Sequence, residues 1–462
     1  MLQFKEIDIN VLKKYDKPGP RYTSYPTAPV FSDKFGSKEY REEILSTNSN
    51  NKAPDLSLYF HFPFCDTLCY FCGCTMLITH DKKRISEYND YIKKEIDITV
   101  PLMKKSRKVQ QLHWGGGTPS YLTPDEIRDI GIYTKEHFDF DDDIEASVEI
   151  DPRGLTRQHM VAFRDAGFNR VSMGVQDFNL KVQETINRVQ SEEITRDAVN
   201  WSRELGFKSI NLDLIYGLPF QTTKSFELTL DKIIEISPDR IAVFNYAHVP
   251  WLKKHQRVIT NEMLPSPENK LSTLKMTIEK LQEAGYWYIG MDHFAKPDDE
   301  LAISQRNKTL YRNFQGYSTK AGCDVYAFGM SAISQFDSMF AQNYKSLPDY
   351  YSRINSGEFA TKVGYKLTGD DKIRRYTINK LMCDMELTKS DIENKFNIVF
   401  DDYFRNDIPK LAEFIEGGFM VSESGKYRVV NTGKLIIRNI AMCFDAYLEK
   451  MMMEKPIFSR TV

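Results

Sequence analysis

From Leu56 onward the chain alternates short apolar, β-branched or aromatic runs with longer stretches whose apolar residues recur at helical spacing. LSLYFHF, VQQLHW, IEASVEI, RVSMGV, SINLDLIY and RIAVFNYAHV predict strands, and ISEYNDYIKKEIDITVPLMKK and TRDAVNWSRELG predict helices between them. A later helix, PENKLSTLKMTIEKLQEAG, leads to a further apolar run, YWYIGMDHF. One strand and one helix about every 30 to 40 residues predicts βαβ units with right-handed crossovers and a parallel sheet, so a (β/α) barrel or part of one.

The flanks read differently. KPGPRYTSYPTAPVF carries four prolines, so the first fifty-odd residues are expected to form an irregular arm lying across something else. Past about Gly364, LTKSDIENKFN predicts a short helix with Thr388 as its N-cap, GGFMVSESGKYRVV a hairpin, and further helices follow. The expected organisation is an arm over the active site in residues 1–54, a catalytic barrel in residues 55–364 and a small, mostly helical, winged-helix-like domain in residues 365–462.

Composition narrows the class. Of 462 residues, 41% are hydrophobic and 27% charged, ordinary for a globular protein, and the formal net charge is -2. No Lys/Arg block marks a nucleic-acid-binding tail, and the C-terminal segment has no basic stripe, so nucleic acid is not an expected partner. No apolar run reaches the roughly 18 residues of a membrane span. The polar start MLQFKEIDINVLKKYDK lacks the apolar core of a signal peptide, which predicts a cytoplasmic protein. In that compartment disulfides are rare, and seven cysteines is an odd number.

The unusual residues fall at one end of the expected strands. A cysteine cluster follows the first strand and GGGTP, Gly115 to Pro119, the second. Glu149 and Asp151 end the third, Gln176 ends the fourth, Asp213 lies near the end of the fifth, and Tyr246 and Ala247 close the sixth. Ligands of parallel α/β proteins collect at that rim, because the loops there converge. In HFPFCDTLCYFCGC, Cys65, Cys69 and Cys72 make C-x3-C-x2-C, and Cys74 follows two residues later. A structural zinc site draws its ligands as two separated pairs, and here no second pair occurs. An iron–sulfur cubane, reachable at several corners from one loop, fits better, with three cysteine ligands leaving one iron open. Cys323, Cys383 and Cys443 stand alone and read as core residues.

YFHFPFCDTLCYFC resembles the signature loop of the radical S-adenosylmethionine (SAM) enzymes. GPRYTSYPTA, HWGGGTPSYL, SVEIDPR, RVSMGVQDFN, NLDLIYGLP, PDRIAVFNYAHVP, YIGMDHFAKPDDELA, RNFQGYST and GMSAIS extend the likeness through the arm and the barrel, and more closely resemble the oxygen-independent coproporphyrinogen III oxidase family. The C-terminal part matches more loosely.

That resemblance implies a partial (β/α)6 radical-SAM barrel and an oxidoreductase of haem and porphyrin biosynthesis. Cys65, Cys69 and Cys72 would hold one [4Fe–4S] cluster whose open iron SAM chelates. Tyr59, Gly116, Gly117, Thr118, Glu149, Gln176, Arg188, Asp213, Ala247 and Ile333 would contact that SAM, with Arg188 on its carboxylate. Phe71, Gly117, Ile215, Ala247, Phe314 and Gln315 would contact a second SAM. Tyr59 and Cys74 match catalytic positions, Cys74 without being a cluster ligand. The implied reaction removes a β-hydrogen from a propionate with a 5′-deoxyadenosyl radical, because no general base near neutral pH takes a proton from so unactivated a carbon. Loss of carbon dioxide and one electron leaves a vinyl group, and two such events turn coproporphyrinogen III into protoporphyrinogen IX. The tetrapyrrole carries four carboxylates, for which Arg21, Lys296 and Arg312, in motifs bordering the rim, are the candidate partners. An electron donor of flavodoxin or ferredoxin type, an electron acceptor and a monomeric chain are also expected. Tyr311 stands where a histidine is common in the family.

The rival readings are a haem-binding carrier of the same superfamily and a radical-SAM methyltransferase that opens haem. The carriers share the cysteine loop but lack the RYTSYPTA arm and a cysteine like Cys74, and their His-Asn…Tyr-Trp motif does not occur here.

Overall fold

In the computed structural model, which describes residue 4, residues 7–454, residue 458 and residues 460–461, the first predicted strand is β1 (Leu56–Phe62), and six of its seven residues are buried. Burial on both faces is what a strand in the middle of a parallel sheet requires, and it explains the near-continuous apolar run. β2 (Lys108–Gly116), β3 (Asp139–Ile150), β4 (Arg170–Gln176), β5 (Ser209–Tyr216) and β6 (Arg240–Asn245) follow in order, each parallel to the one before. Helices Lys82–Thr99, Pro124–His137, Arg157–Asp165, Glu192–Glu204 and Thr223–Ile236 make the crossovers. Several start on signals visible in the sequence. Thr123 Oγ1 accepts from Glu126 N (3.3 Å), the Glu126 carboxylate accepts from Thr123 N (2.8 Å), and Pro124 occupies the first helical position. The six-stranded parallel unit is the expected partial barrel.

The sheet is wider than the sequence pattern indicated. YWYIGMDHF is two short strands, β7 (Trp287–Gly290) and β8 (His293–Ala295), reversed at Met291 (φ 56°), and β8 runs antiparallel to β6. Beyond β1, β9 (Asp324–Phe328) adds in parallel, and β10 (Ile333–Gln335), β11 (Met339–Asn343) and β12 (Thr361–Lys366) continue antiparallel, giving 12 strands. β12 runs past Gly364, so the sheet crosses the boundary expected there.

The arm is irregular between two helices, Ile9–Tyr15 and Ser37–Ser49. It is tied down at both ends: Ser32 and Gly364 exchange backbone hydrogen bonds (2.9 and 3.0 Å), and Thr461 N donates to Lys17 O (2.8 Å). In the C-terminal part the predicted hairpin is Met420–Glu423 with Lys426–Val429, joined by a third strand, Glu386–Thr388. Thr388 precedes helix Lys389–Phe396 as expected, but its side chain makes no capping hydrogen bond, because the residue belongs to that third strand.

Candidate functional site

The strand ends converge on the cysteine loop. Phe64–Cys65 pairs with Leu77–Ile78, which closes the loop at its base. On one side Tyr70 N donates to Ile186 O (2.9 Å) and Asn187 Nδ2 to Leu68 O (2.8 Å). On the other, three side chains of the segment after β6 donate to loop carbonyls: Gln256 Nε2 to Phe71 O (3.0 Å), His255 Nε2 to Cys72 O (2.8 Å) and Lys253 Nζ to Cys74 O (2.9 Å). The thiols of Cys65, Cys69, Cys72 and Cys74 are all unbridged. A hydrogen bond with the Cys74 thiol lowers the pKa of the Cys72 thiol, and Lys253 and His255 add to the effect. Such a thiol is readily available as a thiolate ligand. Among the described residues no three His, Cys, Asp or Glu side chains converge on the position of one ion. Cysteines spread along one held loop suit the corners of a cubane rather than a single zinc.

The guanidiniums of Arg153 and Arg188 face Cys69, with Nη2 and Nη1 at 3.4 and 3.7 Å from its Sγ. Asp151 holds both, at 2.7 Å from Arg153 Nη2 and 2.9 Å from Arg188 Nη1. Two cations beside a sulfur are placed to offset the negative charge of a thiolate-bound cluster.

The glycine turn is fixed by backbone. Gly116 closes β2 at φ +117°, a left-handed conformation that favours glycine. Gly117 N donates to Phe62 O (2.7 Å) and Thr118 N to Phe64 O (2.9 Å), so the turn lies directly on the chain entering the cysteine loop. A Cβ at Gly117 would sit 2.6 Å from the Pro63 carbonyl carbon. Thr118 Oγ1 accepts from Asp151 N (3.1 Å), joining the ends of β2 and β3.

A cavity of about 520 Å³ opens beside this turn, lined by Gly116 and by Tyr59, Cys74, Glu149, Phe314, Gln315 and Ile333. The Tyr59 ring stacks on His113 at 5.8 Å, and its hydroxyl lies 3.1 Å from His61 Nδ1. Burial works against charge on Glu149, yet the hydrogen bond from His113 Nε2 (3.3 Å) and Gly116 N (3.3 Å) hold its carboxyl below the usual range. Burial pushes the Asp213 carboxyl up to about 6, against hydrogen bonds from Asn211 Nδ2 (2.8 Å) and Ser172 Oγ (3.1 Å). Gln176 ends β4 in the left-handed region (φ 69°), beside Arg188, whose Nη2 donates to Gly174 O (2.7 Å). Phe71 and Ile215 share one apolar cluster with Val182 and Tyr246. Both polar atoms of the Gln315 amide and Nε of Arg188 are buried without a protein partner, so they are open to a water or a ligand. The residues present therefore fit a cluster and a polar nucleoside ligand.

A second cavity, of about 530 Å³, begins at Tyr246 and Ala247 and is walled by the arm and the C-terminal segment, with Arg21, Asp292 and Arg438 in its lining. Arg312 lies on the hairpin Tyr311–Ser318 and is buried, while the Tyr311 hydroxyl accepts from Gln335 Nε2 (3.1 Å). Lys296 is the exception. Its ammonium donates to Ser237 O (2.9 Å) and lies 3.7 Å from Asp239, next to the start of β6 and so at the far end of that strand from the cysteines. It is not brought to the site, because β8 runs antiparallel and carries the chain away from the rim.

The sequence reading passed over Arg153, His61, His113 and the Lys253–Gln256 clamp. Arg153 had a signal, two residues after Asp151 in SVEIDPR, and His113 pairs with Tyr59 in register across β1 and β2. The clamp had none, since it binds carbonyls that any residue supplies.

This barrel, with its cysteine loop and glycine turn on one rim, is of the radical SAM class, and the radical SAM superfamily is matched over residues 59–233. The chain is 45% identical over 458 residues to the oxygen-independent coproporphyrinogen III oxidase of Escherichia coli K12, covering 98% of each, and 42% identical over 461 residues to that of Synechocystis, covering 99% and 98%. A solved E. coli coproporphyrinogen III oxidase, described as a radical SAM enzyme, superposes with a TM-score of 0.91 at 45% identity, over 96% of this chain and 100% of that one. The chain belongs to the oxygen-independent coproporphyrinogen III oxidase family. Its cofactors are those of radical SAM enzymes, a [4Fe–4S] cluster and SAM. No described helix is long and apolar enough to cross a membrane.

Proposed function

We propose that the protein converts coproporphyrinogen III to protoporphyrinogen IX without oxygen, by oxidative decarboxylation of two propionates to vinyl groups. The observation that carries this reading is the pairing of two cavities at one rim: one beside the cysteine loop with orphaned polar atoms, and one lined by arginines under the arm. Held by the cysteine loop and the glycine turn, a [4Fe–4S] cluster and SAM would supply the radical chemistry that removal of an unactivated propionate β-hydrogen requires.

The residues have the following roles in this reading. Cys65, Cys69 and Cys72 would ligate the cluster, and Arg153 and Arg188, set by Asp151, would balance its charge. The Gly116–Thr118 backbone would admit SAM closely, Glu149 and Asp213 would accept from its ammonium and ribose groups, and Arg188 would pair with its carboxylate. Gln176, Ala247 and Ile333 flank it. Phe71, Ile215, Phe314 and Gln315 bound a second SAM. Tyr59 and Cys74 face the reacting centre, and the arm and C-terminal segment exclude water. The reading includes a cytoplasmic monomer served by a flavodoxin- or ferredoxin-type donor and a separate electron acceptor.

The test is anaerobic turnover of reconstituted, reduced protein with SAM and coproporphyrinogen III, followed by mass spectrometry. Loss of two carbon dioxide units is the expected result. SAM cleavage without decarboxylation would overturn the substrate assignment.

A further inference from the structure

We propose that the segment after β6 is the docking surface for an acidic one-electron carrier protein, which seats on Trp251, Leu252, Lys254 and Arg257 and reduces the cluster held by the loop beneath them. The surface rests on the functional reading above, which needs an electron at the cluster, and adds where that electron enters.

From Tyr246 to Asn261 the chain reads YAHVPWLKKHQRVITN, with two lysines, one arginine, two histidines and no acid. In the whole chain Asp and Glu, 64, slightly outnumber Lys and Arg, 62. One sign of charge gathered on one segment of a near-neutral protein makes a local field that draws an anionic partner.

The fold gives this segment two sides. Inward, Lys253 Nζ, His255 Nε2 and Gln256 Nε2 donate to the carbonyls of Cys74, Cys72 and Phe71 at 2.9, 2.8 and 3.0 Å. Ile259 belongs to the apolar cluster against which Tyr70 and Phe71 of the cysteine loop pack. His255 is therefore one hydrogen bond from the backbone of Cys72, and a redox group seated on the outer side lies across this one segment from the cysteine loop.

Outward, Trp251, Leu252 and Val258 are 61, 64 and 52% exposed. Lys254 and Arg257 are exposed beside them, and among the described residues neither has a carboxylate within ion-pair distance. The apolar surface continues at Phe220, which is also exposed and whose backbone nitrogen donates to Met263 O (2.8 Å). Lys181 Nζ lies 5.0 Å from the centroid of the Phe220 ring. The acids of these bordering stretches are Glu184 and Glu262, against the cations Lys181, Lys253, Lys254 and Arg257.

An apolar centre with a basic rim has the composition of a protein interface. A small anion would use the charges and leave Trp251, Leu252 and Val258 in water. A lipid surface would cover them but brings no electron to the cysteine loop. An acidic carrier protein does both. Each docking transfers one electron: the reduced carrier loses it and the cluster gains it, with no bond made or broken and no proton moved.

The test is anaerobic stopped-flow reduction of the reconstituted holoenzyme, followed by the cluster's visible absorbance, with an acidic flavodoxin in its reduced form as the donor. Trp251 also lines the second cavity, so the variant that isolates docking is Lys254→Glu with Arg257→Glu, two positions that line neither cavity. Its second-order rate with flavodoxin should fall about tenfold, and the decline of the wild-type rate with added salt should be largely lost. Calorimetric titration with oxidised flavodoxin should show a matching loss of affinity. With photoreduced 5-deazariboflavin, a small uncharged reductant, cluster reduction and KM for coproporphyrinogen III should be unchanged. Equal flavodoxin rates in both proteins would overturn the surface. So would a raised KM under the small reductant, which would make these cations a steering patch for the tetrapyrrole, or loss of binding to phosphatidylglycerol vesicles with the flavodoxin rate intact. If the double variant does not fold, Leu252→Ser decides by the same rates. Enzyme that takes the electron and cleaves SAM but leaves coproporphyrinogen III unchanged would instead overturn the functional reading, with the docking rates still readable.

Discussion

The Asp151 carboxylate connects several parts of the site. It fixes two guanidiniums against Cys69, and its backbone nitrogen is held by Thr118 Oγ1, so the glycine turn and the cysteine loop are positioned together. Asp151→Asn should therefore weaken SAM binding to the loaded enzyme by roughly ten- to a hundredfold, the usual size for a group orienting direct ligands. Titrating SAM against the cluster's electron paramagnetic resonance signal measures this, and unchanged affinity would show that the arginines are held by other contacts. Gly117→Ala should fail earlier. Its new Cβ would lie 2.6 Å from the Pro63 carbonyl carbon, and backbone cannot give way as a flexible side chain can. The expected result is protein with little bound iron and sulfide on reconstitution, and full loading would contradict it. At this scale the sequence was most legible where a residue type is rare and chemically demanding, as with the cysteines and the glycine turn. It was least legible for Lys296, whose motif borders the rim in sequence while its ammonium sits at the far end of β6.

Glu95 shows how one helix is anchored to the part of the sheet that the sequence did not reveal. It projects from helix Lys82–Thr99 and accepts from Gly329 N (2.7 Å), Asn343 Nδ2 (2.8 Å) and Tyr350 OH (2.7 Å), tying the first crossover to the segments after β9 and β11. Burial raises its carboxyl from 4.5 to about 7. A carboxyl raised on folding binds its proton more tightly in the native state. Its contribution is fully present below about pH 4.5 and is lost as pH rises through about 7. Thermal stability should fall over that window, and Glu95→Gln should flatten this component of the profile; an identical slope in the variant would assign the dependence to other groups. The strands follow the same logic of legibility. β1, β4 and β5 announce themselves by their apolar runs because they are mostly buried on both faces. β10 and β8 have three residues each, too few to establish a period, and their pairing is set by tertiary neighbours.

The whole molecule is closed by its two ends. The arm and the C-terminal segment meet over the second cavity, where Arg438 gathers carbonyls from both, and Tyr22 OH donates to Asp445 (2.9 Å) in a buried joint. Tyr22→Phe should cost about 1–2 kcal/mol, since it leaves a buried carboxylate short of a donor. A urea melt measures it, and no change in midpoint would mean the joint adds nothing to the fold. This closure could not be read from local pattern, because it depends on contacts between residues some 420 positions apart, as Tyr22 and Asp445 are (423). The prolines of KPGPRYTSYPTAPVF supplied the expectation of an irregular arm lying across something else, and only the packing shows that its partner is the C-terminal segment.

The central claim is that the two cavities serve one reaction, in which a propionate is brought to a radical generated beside the cysteine loop. The most direct measurement is anaerobic turnover of coproporphyrinogen III carrying deuterium on the β-carbons of its propionates. Recovery of that deuterium in 5′-deoxyadenosine, together with vinyl product, is the result this account predicts. 5′-Deoxyadenosine free of deuterium, formed without vinyl product, would contradict it.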